Sequence, residues 1–149
     1  MNGISAAIDL DAPRERVWEM LMDPRRLVDW VTIHQRLGRV SDYPLILGST
    51  VEQTVRSCGR AFDLRWTITD LRRPHHAFWE GRGPARSRAT IRYELSTDGS
   101  GQTSFRYANT FALPGGALGA VAGRLLGGDL SRREAKLSLL KLKQLIEIG

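Results

Sequence analysis

Phe111-Ala112-Leu113-Pro114-Gly115-Gly116 divides the chain. Before it lies a long stretch of strand-like alternation; after it one helical stretch runs almost to Gly149. A proline followed by two glycines ends the last strand, because neither residue type supports a strand interior. A single helix that follows a meandering antiparallel sheet has one obvious partner, the concave face of that sheet. A curved sheet that wraps a helix along only part of its length leaves an interior hollow. The pattern therefore predicts an α+β domain spanning residues 1–149 that contains small molecules.

Working back from this junction, Phe105, Tyr107, Asn109 and Phe111 share one face, and Arg106, Ala108 and Thr110 the other. Asp98-Gly99-Ser100-Gly101 is a strong hairpin signal. Ala89, Ile91, Tyr93 and Leu95 alternate with Thr90, Arg92 and Glu94. The cleanest strand is Arg60 to Leu71, where Phe62, Leu64, Trp66 and Ile68 oppose Asp63, Arg65, Thr67 and Thr69. Val51, Gln53 and Val55 alternate within Ser49 to Ser57, and Thr32 to Val40 is a weaker strand. His76 to Gly81 is short, and a bulge at Gly81 leaves the facing of Trp79 and Glu80 open. Ile4 to Leu10 is the first strand. It leads into a helix with Pro13 at its first turn and Asp11 or Ala12 as cap. Asp23-Pro24 stops that helix, and Arg25 to Trp30 reads as a second short one. Seven antiparallel strands, two early helices and one late long helix result.

The late helix has two halves. Ala135, Leu139, Leu142 and Ile146 form an apolar stripe with Leu145 beside it, opposite Arg132, Arg133, Lys136, Lys143 and Glu147. Earlier, Gly115, Gly119, Gly123 and Gly127 recur every fourth residue. That stripe fits close backbone packing, a compliant lid bending at Gly127-Gly128, or a break into two helices.

Bulk properties narrow the function classes. A chain of 149 residues needs no metal or disulfide to hold a core. Cys58 is the one cysteine, which excludes an intrachain disulfide and suits a reduced, cytoplasmic protein. No signal peptide is visible. The longest uncharged run, Tyr107 to Gly123, holds Pro114 and four glycines and is too short to span a bilayer. The net charge of +6 is spread along the chain, and all but three of the 22 basic residues are arginine. This argues against a specific nucleic-acid site. Oligomeric state is not legible.

Polar residues on inward faces are the site candidates, since buried polar groups need partners. They are Gln53, Asn109, Tyr93 and Tyr107, with Trp66 as an aromatic wall and His34 as the group that titrates near neutrality. His75-His76 follows Pro74 in a predicted turn and reads as solvated. Neither metal nor cofactor is expected. No ligand spacing, phosphate loop or dinucleotide fingerprint occurs, and Glu80 lacks a paired carboxylate.

Several segments in order carry a resemblance. They are Asp11-Ala12-Pro13-Arg14-Glu15-Arg16-Val17-Trp18, then Asp23-Pro24 and Trp30, then Trp79-Glu80-Gly81. Gly101-Gln102-Thr103 with Phe105 and Tyr107 follows, then Leu113-Pro114-Gly115-Gly116, Ser138-Leu139, Leu142-Lys143 and Glu147. With these the chain resembles the polyketide cyclase/dehydrase and lipid-transport family, a START-related group. The resemblance implies a helix-grip fold, a seven-stranded sheet gripping the long helix over a hydrophobic cavity. The expected activity is binding or carriage of a lipid, isoprenoid, quinone or polyketide-like molecule. A cyclase or dehydratase enzyme and a protein-interaction module are the alternatives. No residue set here matches a cyclase active site one by one.

Overall fold

The computed structural model describes residues 2–57, 59–112 and 129–148. In chain order these hold β1 (Asn2–Leu10), α1 (Arg14–Leu21), a 3-10 turn (Pro24–Arg26), α2 (Leu27–Trp30), β2 (His34–Val40), β3 (Thr50–Ser57) and β4 (Arg60–Arg72). Next come β5 (His76–Arg82), a 3-10 turn (Pro84–Arg86), β6 (Arg88–Thr97), β7 (Thr103–Ala112) and α3 (Asp129–Ile148). Cys58, the glycine stripe and the Gly127-Gly128 bend lie outside the described residues.

The strands form one antiparallel sheet in the order β1-β7-β6-β5-β4-β3-β2. After β1 the chain crosses through α1 and α2 to the far edge, then meanders back strand by strand until β7 pairs with β1. This is the helix-grip arrangement. Alternation places Val51, Val55, Trp66, Ile68, Ala77, Trp79, Tyr93, Leu95 and Phe105 on the concave face, all buried. On α3 the apolar stripe meets them: Leu139, Leu142 and Ile146 are buried, with Leu145 packed alongside. No helix among the described residues is long and apolar enough to cross a membrane.

Four details differ from the sequence expectation. Pro13 is the N-cap of α1, not its first residue. Its extended backbone (φ −66, ψ 151) leaves its carbonyl to accept the first helical bond, from Val17 N–H at 3.2 Å. β2 begins at His34, two residues later than expected, because the Thr32 backbone N–H is drawn to the Ser138 hydroxyl on α3 at 3.0 Å. The solvated turn expected at His75-His76 does not include His76, which opens β5 where the strand reading began it, and its ring lies between Asp70 (3.2 Å) and Glu94 (4.0 Å) on the outer face. The ambiguity at Trp79 resolves inward, with Glu80 exposed. The irregularity belongs to β4, between Ile68 and Asp70, and not to Gly81.

Gly81 has its own reason. It pairs with Trp66, and a Cβ there would stand 2.6 Å from two indole carbons. The indole lies against the bare backbone, so any side chain at 81 would displace it toward the helix. At the sheet edge, β2 shifts register between His34 and Arg36 and again between Leu37 and Val40. Such bulges discourage edge-to-edge pairing with another chain.

Candidate functional site

Between the concave face and α3 lies a cavity of about 220 Å³. Its wall follows from period-two alternation. Register pairs Val51 with Trp66, Gln53 with Leu64 and Val55 with Phe62, and all six side chains border the hollow. Tyr93 stands at the centre of an aromatic floor. Phe105 is 5.5 Å away, Tyr107 6.1 Å, and Trp30 and Trp79 6.3 Å each between ring centroids. The indole N–H groups of Trp30 and Trp79 are buried without an acceptor among the described residues.

Five of the six sequence candidates line this cavity: Gln53, Trp66, Tyr93, Tyr107 and Asn109. His34 does not; its ring reaches the site through Gln53. The buried Gln53 amide is engaged at both ends. Its oxygen accepts from Trp66 Nε1 at 3.0 Å and its nitrogen donates to His34 Nδ1 at 2.8 Å. An indole nitrogen only donates, so it dictates the amide orientation. The amide nitrogen then faces His34 Nδ1, which must accept, and the imidazole proton resides on Nε2. Burial pulls the His34 pKa below its ordinary value, in the same direction. Both the hydrogen bond and the burial favour the neutral imidazole.

Tyr107 and Asn109 form a second polar pair, with Asn109 Nδ2 donating to the Tyr107 hydroxyl at 2.8 Å. Burial raises the pKa of Tyr93 far above the ordinary phenol value, with Tyr107 adding to it. Burial also raises Tyr107, against the opposing effect of the Asn109 hydrogen bond. Both phenols are neutral donors at any physiological pH, suited to orienting a ligand oxygen.

A third polar group has no counterpart among the sequence candidates. Thr32, just before β2, meets Glu134 and Ser138 on α3, and all three border the cavity. The Thr32 hydroxyl donates to the Glu134 carboxylate, its N–H donates to Ser138 Oγ at 3.0 Å, and the two hydroxyls lie 3.2 Å apart. Glu134 and Ser138 are one helical turn apart and flank the inward Ala135 and Leu139. That spacing is the sequence signal that marks them. No three His, Cys, Asp or Glu side chains converge as a metal site among the described residues.

A family model described as polyketide cyclase / dehydrase and lipid transport matches residues 1–147. The chain belongs to this family. Solved structures carry the same fold. A conserved protein from Geobacillus kaustophilus is 23% identical with a TM-score of 0.74, over 99% of this chain and 96% of that one. The Zhui aromatase/cyclase from a Streptomyces species is 16% identical with a TM-score of 0.76, over 98% and 93%. A protein from Thermus thermophilus is 15% identical with a TM-score of 0.77, over 99% and 98%. No curated protein matches the chain. At these identities the likeness speaks for the helix-grip fold and not for a shared reaction.

Proposed function

We propose that this chain binds and carries a small hydrophobic or amphipathic molecule of the lipid, isoprenoid, quinone or polyketide-like kind. One observation carries the reading: a hollow of about 220 Å³ whose wall is aromatic and aliphatic, with a few polar groups set into it. That composition is typical of small-molecule sites, which use few polar groups to orient an apolar body. The volume lies below the roughly 300–1,000 Å³ of sites for drug-sized ligands. It suits a single ring or a short chain. A single cysteine fits work in the reducing cytoplasm.

The cyclase or dehydratase alternative would draw on Tyr107 and Asn109, 2.8 Å apart. His34 stands off the wall with Nδ1 engaged by Gln53. Carriage asks none of these groups to exchange a proton, and it is the reading adopted.

Thermal-shift screening with short-chain lipids, quinones and single-ring aromatics tests it, alongside mass spectrometry of organic extracts of the purified protein. A ligand at a hundredfold excess over its Kd adds about 2.7 kcal/mol of stability. Ala135→Phe, which fills the hollow from α3, abolishes the shift while the protein stays folded. No shift across the panel, or an undiminished shift in the filled variant, overturns the proposal.

A further inference from the structure

The cavity wall holds one charged side chain among the described residues, and it is Glu134. This is a notable choice for a chain with 22 basic and 16 acidic residues. The other polar lining groups are amide, phenol, indole or hydroxyl. No lysine, arginine or histidine among the described residues stands at ion-pair distance from the Glu134 carboxylate. Its partner is the Thr32 hydroxyl on Oε2. Oε1 makes no hydrogen bond among the described residues, and one carboxylate has about four acceptor positions to fill. Thr32 is itself held in place by Ser138. The carboxylate is therefore positioned at the cavity wall with acceptor capacity to spare.

From this geometry we infer that the ligand is an amphipath with a protonated amine at one end, docked on Glu134, and an apolar body lying over Trp66 and the aromatic floor. The inference rests on the carrier reading and names its ligand class. An ammonium offers the donors that Oε1 lacks among the described residues, and a charge-assisted hydrogen bond is about twice as strong as a neutral one. A carboxylate-ended amphipath would instead bring like charge against Glu134, at a cost that grows as water is excluded. Background electrostatics work the other way. A protein of net charge +6 attracts anions and repels cations in general. A preference for an amine would thus report the local site and not the overall field.

Calorimetric titration with octylamine, octanol and octanoate separates the contributions, since the three share one tail. The native protein binds octylamine about tenfold more tightly than octanol, and octanoate most weakly. Glu134→Gln keeps the shape and brings octylamine down to the octanol affinity. Glu80→Gln, which removes one negative charge from the exposed face of β5 away from the hollow, retains the ranking. Equal affinities for all three probes, or a preference for octanoate, overturn the amine assignment and leave the container intact. Failure of every probe to bind overturns both. The ranking in the native protein decides the matter even where Glu134→Gln proves unstable.

Discussion

The two ends of α3 obey the same period and meet different surroundings. Around Leu142 and Ile146 the inward face is filled, and both side chains are fully buried beside Leu10 and Val17. Polar ties hold this end in place: Lys143 Nζ donates to the Asp9 carbonyl at 2.9 Å, and Glu147 accepts from the Asp11 N–H at 3.1 Å. Around Glu134, Ala135 and Ser138 the inward face borders open space, and the bridge to the rest of the molecule is the Thr32 cluster. Periodicity tells which face turns inward. It does not tell whether the space in front of that face is occupied, because occupancy depends on partners far away in sequence.

The sharpest way to break this contrast is a pair of truncations on one stripe. Leu142→Ala opens a void in a filled core and lowers unfolding free energy by about 2–5 kcal/mol. Leu139→Ala enlarges a hollow that already exists and costs about half as much. Urea denaturation of both measures the difference, and equal losses would erase the distinction between the two ends. Next in size is Gln53→Leu on the cavity side. It orphans the Trp66 indole N–H, with an expected loss of about 1–3 kcal/mol. A neutral result would mean that the amide does not bridge Trp66 and His34.

The smallest effect is one of pH. Unfolded His34 takes up a proton near its ordinary pKa of 6.5, whereas burial lowers the folded value. The unfolded chain therefore binds more protons just below that pH, and stability falls as the solution is acidified from neutrality toward the folded pKa. The carboxylates held below their ordinary values, Asp23, Asp42, Asp98 and Glu147, act at lower pH and outside this window. His34→Gln flattens the profile between neutrality and the carboxylate range, as thermal midpoints across pH will reveal. An unchanged slope removes His34 from the account.

Much of the fold is legible because strands with one wet face declare themselves. Phe62, Leu64, Trp66 and Ile68 alternate with charged and hydroxyl residues, and the pattern survives until the bulge after Ile68. The cavity candidates on β3, β6 and β7 follow from the same rule. His34 escapes it, because β2 changes register immediately after His34 and period two does not carry across the irregularity. The i, i+4 spacing of Glu134 and Ser138 is visible in the sequence, but their meeting with Thr32 is not, for a different reason. Thr32 reads as the start of a strand, and Glu134 sits behind two arginines in what looks like a solvated run. Their meeting is a tertiary event, across 102 positions for Thr32 and Glu134 and 106 for Thr32 and Ser138.

That separation has a temporal meaning. β1 waits for β7, with Asn2 opposite Phe111, and the wall near Thr32 waits for residues 134–138. On a ribosome the early strands would emerge long before the chamber they help to enclose. On the proposed carrier reading, cargo would have nowhere to lodge in a nascent chain, and loading would follow synthesis. Distant pairings of this kind also slow folding, so an amphipath present during refolding would meet a receptive interior only in the final stage.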